Sequence, residues 1–334
     1  MKVLVVTNMY PSPERPFYGV FVEEQVRSLR AQGVTIEVAF IDGATSRWNY
    51  AKAVRQLSRL ISQTDFDLIH AHHSLCIYPI RVALALFRKS LPVLFTFHEG
   101  EVHNTTLRPG GVRRLVFSKR LKRAALNSAN LVISVQDELM KASGYSGGYV
   151  TIPCGVDTDL FRPLDRSDCR VRLGLPLEKK LIFFPAAQTD EQKGFDVLSQ
   201  SLSLFESGGV EIISAGSIPH DEIPYFMNAA DVVCQLSLFE ASPMALKEAM
   251  AVGARVVFTQ AGDAAETMGT TPGCWVCDRS PKDVAAKLSA ALTDGGPVET
   301  RERIIEKKLT LQAIADRIID VYRRYGAVEP PAGE

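Results

Sequence analysis

No run of apolar residues in this 334-residue chain approaches the roughly 20 needed to cross a bilayer as a helix. The first apolar run, Val3 to Val6, is too short for the core of a secretion signal and reads as an opening strand. Net charge is also missing, because 38 Lys and Arg offset 38 Asp and Glu. With no recognisable nucleic-acid module, that neutrality argues against nucleic acid as a partner. Cysteine is sparse and scattered, at positions 76, 154, 169, 234, 274 and 277. Such scatter excludes a dense disulfide framework and agrees with a reducing compartment. These absences predict a cytoplasmic protein.

What is present is ordinary globular material, 46% hydrophobic and 23% charged, long enough for two domains with separate cores. The charge is unevenly placed. Residues 1–165 hold 20 Lys and Arg against 14 Asp and Glu, an excess of +6, which leaves 18 against 24, or −6, for the rest. Much of the excess lies in Arg108, Arg113, Arg114, Lys119, Arg120, Lys122 and Arg123, interleaved with Leu115, Val116, Phe117 and Leu121. A basic amphipathic helix of this kind suits anionic surfaces such as lipid headgroups or lipid-linked diphosphates, and it also suits a simple solvated face.

Apolar strands alternate with helical patterns in both halves. In the first, strands are expected near Lys2–Asn8, Thr35–Ile41, Asp67–His73, Pro92–His98, Leu131–Val135 and Tyr149–Ile152, with helices near Val20–Gln32, Tyr50–Ser62, Cys76–Arg88 and Val112–Asn127. The second repeats the scheme, with strands near Lys180–Ala186, Val210–Ala215, Asp231–Leu236, Arg255–Thr259 and Gly273–Cys277. Alternation of this sort predicts an α/β protein with two doubly wound parallel-sheet domains and a ligand cleft between them. The link from Asp157 to about Leu177, with Pro163 and Pro176 among charges and room for a short helix at Arg166–Leu173, is the expected hinge. An amphipathic helix, Leu311 to Tyr325, closes the pattern.

The densest signal is the stretch from Phe239 to Gly253, where Glu240 and Glu248 stand eight residues apart as a strand gives way to a helix. Ser242 suits an N-cap, Pro243 the first helical position, and Leu246, Ala249 and Met250 follow at helical spacing. Glu240 is then a loop carboxylate at the carboxyl end of a parallel sheet, where such sheets bind ligands, with Glu248 a turn deeper. Two carboxylates fit a hydroxyl-rich ligand, and equally a helix-entry Glu beside a solvated one. Lys193-Gly194 places a cation and a helix start together, an arrangement that can stabilise a departing diphosphate. Of His70, His72 and His73, strand alternation puts His70 and His72 on one face, and zinc is not expected there. Cys274-Trp275-Val276-Cys277 is a lone CxxC with an apolar interior and reads as structural.

Together with Ile69-His70-Ala71-His72, Thr96-Phe97-His98-Glu99-Gly100-Glu101-Val102, the segment Ile152 to Phe161 and Lys193-Gly194-Phe195-Asp196, the Glu-x7-Glu stretch resembles the retaining GT-B glycosyltransferases of family 4, closest to the bacterial teichuronic-acid-type branch. The likeness runs from Lys2 to about Tyr325. It implies a GT-B fold of two Rossmann-like domains facing a central cleft: an acceptor-side domain over 1–160, a nucleotide-sugar domain over 161–310, and a helix over 311–325 crossing back to the first. It implies a UDP- or GDP-sugar donor, no metal or other cofactor, and a glycan or polyprenyl-linked acceptor; the basic stretch 108–123 is the candidate for peripheral contact with the inner membrane face. By the same likeness Lys193 stabilises the diphosphate, Glu240 and His98 meet the donor sugar, and Glu248 holds the ribose. Gly194, Gly19, Ser242, Pro243 and Met244 would line the donor site. The sequence departs from the pattern in four places. The Arg that usually precedes the Lys is missing from Pro185–Gln192, Ala241 and Glu99 stand where relatives carry glycine, and Glu101 stands where they carry Asp. A non-catalytic nucleotide-sugar-binding subunit and a GT-B-fold sugar-nucleotide epimerase are the alternatives. Sugar, base, acceptor, linkage and oligomeric state stay open.

Overall fold

The computed structural model describes residues 1–98, 119–204 and 209–326. Its contacts divide the chain into one unit comprising Met1–Pro153 with the chain from Gln312 onward, and a second comprising Cys154–Leu311.

In the first unit six strands, β1 (Lys2–Thr7), β2 (Thr35–Phe40), β3 (Leu68–His72), β4 (Val93–Phe97), β5 (Leu131–Ser134) and β6 (Tyr149–Thr151), form a parallel sheet of order β2-β1-β3-β4-β5-β6. β3 and β4 are buried at every position, as expected of strands covered on both faces by crossover helices. The helices Val20–Ala31, Trp48–Gln63 and Ser74–Phe87 make the first crossovers. On one face the last helix, Leu311–Gly326, sets Ile314, Ile318 and Tyr322 among Val3, Leu68, Leu94 and Ile133. Of the basic stretch expected to be a helix over Val112–Asn127, the part from Arg108 to Phe117 lies outside the described residues, and Lys119–Asn127 is helical. Within that end Arg120 and Arg123 are exposed, but Lys122 is buried, so a uniformly solvated basic face is not what the fold builds there. Glu99, Gly100 and Glu101 also lie outside the described residues.

The second unit holds β7 (Lys180–Phe184), β8 (Val210–Ser214), β9 (Val232–Gln235), β10 (Val256–Thr259) and β11 (Cys274–Cys277), again parallel, in the order β11-β10-β9-β7-β8. Ile182, Phe184, Val232, Cys234 and Val257 fill one face of this sheet, while Phe183, Val233, Val256 and Phe258 fill the other. The expected linker helix is present as Arg166–Leu173, capped by Asp165, whose side chain accepts from the Asp168 amide. Three short helices, Asp137–Ser143, Ala264–Met268 and Thr300–Glu306, carry too few turns for their periodicity to be legible in the sequence. Among the described residues no helix is long and apolar enough to cross a membrane.

Candidate functional site

Two polar clusters stand out, one in each unit. In the second unit, β9 ends at Gln235, one residue short of the expected Leu236, and the chain continues through Ser237 and Glu240 before the helix Met244–Ala251. Glu240 is held hard: its Oε1 accepts from Lys193 Nζ at 2.5 Å, from Ser237 Oγ at 2.8 Å and from Gln235 Nε2 at 3.1 Å. Lys193 closes a short 3₁₀ turn, Glu191–Lys193, which is stitched to the same segment. Leu236 N donates to Lys193 O, Leu238 N to Gln192 O, and Gln192 Nε2 to Phe239 O. This contact explains Gly194. Its φ is 82° and an added Cβ would stand 2.5 Å from the Leu236 carbonyl oxygen, so a side chain is excluded by both conformation and space. Gly194 then caps the helix Phe195–Leu202.

The expected capping pattern after Glu240 is shifted by one residue. The helix starts at Met244, Pro243 occupies the N-cap position, and no side chain caps it. Ser242 is engaged elsewhere: its hydroxyl donates to Asp263 Oδ2 at 2.9 Å and accepts from Lys247 Nζ. Lys247 is fully buried and its ammonium also reaches Asp263 Oδ2 at 2.8 Å and Cys154 O at 3.1 Å. Three donors on Nζ thereby meet three acceptors, which is how a buried ammonium is tolerated. Gly262 lies against this loop, where a Cβ would be 2.7 Å from the Ala241 carbonyl oxygen. Ala241 is not among the described residues with positive φ, so replacing the usual glycine there brings no left-handed strain. Glu248 is buried on the next turn, with His220 Nε2 3.4 Å from its Oε1 and the His220 ring edge-on to Phe161.

Near the same turn, Arg279 Nη2 donates to Glu191 O at 2.9 Å and lies 3.4 Å from Asp196. It enters from the loop after β11, far in sequence from the position where an Arg was expected. Gln235, Ser237 and His220 join this cluster without any sequence signal of their own, because spacing along the chain does not reveal which loops meet above a sheet. The glutamate spacing and the Lys-Gly pair were legible.

In the first unit, β3 and β4 bring four imidazole and hydroxyl groups together. His70 is fully buried, with Nδ1 2.6 Å from Tyr322 Oη and Nε2 2.6 Å from Thr96 Oγ1. His72 Nδ1 lies 3.0 Å from His98 Nε2, and the two rings stack at 5.3 Å. Burial pushes His70 down to about 3, and burial first, then His70 and His98, push His72 well below the usual histidine value, so both are neutral. Both His70 nitrogens are already bonded, which leaves none for a metal. His73 sits at φ 81° and accepts from the Leu75 amide, a helix-entry role. Gly19, at φ 78°, opens the helix Val20–Ala31, and an added Cβ would run into the Met9 backbone, so the close approach it permits is to its own chain.

The CxxC pair lies in β11, where positions three apart face opposite sides of the sheet. Burial pushes both thiols up to about 12, which keeps them protonated.

Comparison with known proteins places these clusters in context. Residues 1–160 match the domain Glycosyltransferase Family 4, and residues 199–310 match Glycosyl transferases group 1. The putative teichuronic acid biosynthesis glycosyltransferase TuaC of Bacillus subtilis is 24% identical, over 86% of this chain and 88% of that protein. A D-inositol 3-phosphate glycosyltransferase of Catenulispora acidiphila is 34% identical over 41% of this chain and 34% of its own length. Among solved structures, sucrose-phosphate synthase from Thermosynechococcus elongatus superposes with a TM-score of 0.82 at 17% identity, covering 97% of this chain and 99% of that one. Anabaena HepE in complex with UDP-glucose gives 0.73 at 18% identity, covering 97% and 100%. The two-domain α/β fold is that of GT-B glycosyltransferases.

Proposed function

This chain carries the two domains of a GT-B glycosyltransferase, and we propose that it moves a sugar from a UDP- or GDP-sugar to a glycan or lipid-linked acceptor with retention of anomeric configuration. The observation that carries the reading is the Lys193–Glu240 pair, fixed by Gly194 against the Leu236 carbonyl at the carboxyl edge of the second sheet. In the ligand-free protein Lys193 is neutralised by Glu240. A diphosphate arriving there competes for the ammonium, and the freed carboxylate can accept sugar hydroxyls. Glu248 is assigned the ribose hydroxyls, which would displace the long contact from His220. Ser242, Pro243 and Met244 carry the loop and helix start that present backbone to the donor, and His98 keeps a proposed part in orienting the sugar.

In the proposed reaction the bond from the anomeric carbon to the diphosphate oxygen breaks as the acceptor oxygen bonds the same face. The acceptor proton passes to the departing diphosphate. Lys193 stabilises the charge that develops on that group, and a removed donor of this kind lowers kcat by roughly 10²–10³. No metal is given a part.

The altered clamp gives the second reading its motive: a non-catalytic nucleotide-sugar-binding subunit would keep the same donor contacts. One experiment separates the two. A thermal-shift panel of UDP, GDP and their sugars is run on wild type, Lys193→Ala and Glu248→Ala, followed by assay of nucleotide release with a lipid-linked acceptor present. Stabilisation by one nucleotide that both variants lose, with release of nucleotide, supports the transferase. Binding without release in any donor and acceptor combination favours the subunit, and no shift with any nucleotide removes both.

A further inference from the structure

Between the helices Trp48–Gln63 and Ser74–Phe87 of the first unit runs a groove with a cavity volume of about 490 Å³, which falls in the range of small-molecule sites. Its walls are Tyr50, Ala51 and Val54 on one helix and Leu75, Tyr78 and Val82 on the other, and its single charged lining residue is Arg47. None of the polar clusters described above uses it.

We propose that this groove holds the hydrocarbon tail of a lipid phosphate, with Arg47 at the phosphate. Three observations converge on that occupant. The first is the lining, which offers apolar surface along its length and one cation at the end. The second is charge. No Asp or Glu occurs in 43–64 or in 68–98, and Arg47, Lys52, Arg55 and Arg59 are exposed with no ion pair among the described residues. An Arg at a helix start opposes the helix dipole, and an anion at that point relieves the conflict. The third is the rim. Trp48 is 76% exposed and Leu86 66%, with Val82 and Phe87 also exposed, so large apolar side chains are presented to solvent beside the cations. A tryptophan and basic side chains around an apolar surface is the composition of a lipid interface.

The groove also leads somewhere useful. Its Arg47 end lies where a helix leaves the carboxyl edge of the sheet, the edge at which open α/β sheets bind ligands. There Asn8 Nδ2 donates to Tyr50 Oη at 2.8 Å, tying the groove wall to the loop after β1. Gly43 makes room for the Tyr50 ring, since a Cβ would stand 2.5 Å from it. A lipid phosphate seated tail-first would present its head at that edge. The proposal rests on the lipid-linked acceptor reading for its purpose, but the binding step needs no donor and is measured alone.

Trp48 is a built-in reporter, and Trp275→Phe removes the other tryptophan. In that background, farnesyl phosphate kept below its aggregation threshold is expected to shift Trp48 emission to the blue with saturation. Ala51→Phe, which fills the groove from an exposed position, and Val54→Glu are expected to weaken that binding ~10-fold or more, a change of about 1.4 kcal/mol. Arg47→Gln should weaken farnesyl phosphate and leave farnesol unchanged. An equal shift with inorganic phosphate would reduce the site to an anion on Arg47 and overturn the proposal. A shift with phosphatidylglycerol vesicles alone, insensitive to Ala51→Phe, would replace it with surface adsorption, and no shift with any probe would also overturn it. UDP stabilisation is read in parallel on the same variants: its absence would count against the donor site and leave the groove result standing.

Discussion

The polar clusters of the two units solve burial in opposite ways, although the first unit also buries Glu24 and Lys122 elsewhere. The first buries imidazoles, His70 and His72, which shed their protons and stay neutral among Tyr322 and Thr96. The second buries charges in pairs: Lys247 with Asp263, and Arg170, 4% exposed, with Asp231 at 2.9 Å. A histidine escapes desolvation by losing a proton near neutral pH, whereas an ammonium or guanidinium holds its proton and must be given acceptors. The first cluster is therefore sensitive to protons and the second to the loss of one partner.

The largest expected effect is in the second unit. Lys247→Met leaves Asp263 buried without its cation and should destabilise this unit by roughly 3–5 kcal/mol, read from urea or thermal unfolding. Adding Asp263→Leu should recover most of that loss, and failure to recover would show that Lys247 holds the fold through its other acceptors, Cys154 and Ser242. Next comes activity. Lys193→Ala should lower turnover by roughly 10²–10³. Its effect on stability should be smaller than that of Lys247→Met, because the Lys193 side chain is 24% exposed and that of Lys247 0%.

Acid should act on the first unit. The folded-state values of His70 and His72 lie below the unfolded value of 6.5, so the unfolded chain binds more protons below that pH, down to about 3 for His70. The stability present above pH 6.5 is therefore lost as pH falls, by up to about 1.4 kcal/mol per pH unit for each histidine. Unfolding followed by Trp48 and Trp275 emission should show the first unit melting ahead of the second at pH 4–5. Coincident melting would erase the contrast. The smallest effect is expected from Gly194→Ala, a loss of about 1–3 kcal/mol from strain at positive φ and contact with the Leu236 carbonyl, accompanied by weaker nucleotide binding.

How much was legible beforehand follows the same physics. All eleven strands could be read from their apolar runs; the inner ones, buried on both faces, leave a continuous signal, while β2, β6, β8 and β11 at the sheet edges are only partly covered. The helix Arg166–Leu173 was legible to the residue, since Asp165 and Gly174 punctuate both ends. Ser242 misled. Its sequence context is that of an N-cap, but a hydroxyl has one proton, and Asp263, 21 residues away, receives it. The expected basic helix could be followed only at its end, where Lys122 turns inward.

By itself the sequence determined the two α/β repeats, the glutamate pair and the Lys-Gly turn, because these depend on periodicity and on residues close in the chain. Only the tertiary structure decided which loops meet above each sheet. It placed Gln235, Ser237 and Lys193 on one oxygen of Glu240, joined Lys247 to Asp263 and Cys154, and opened an apolar groove beside Trp48. Those meetings join residues tens of positions apart, and the packing of side chains that fixes them has no local period to read.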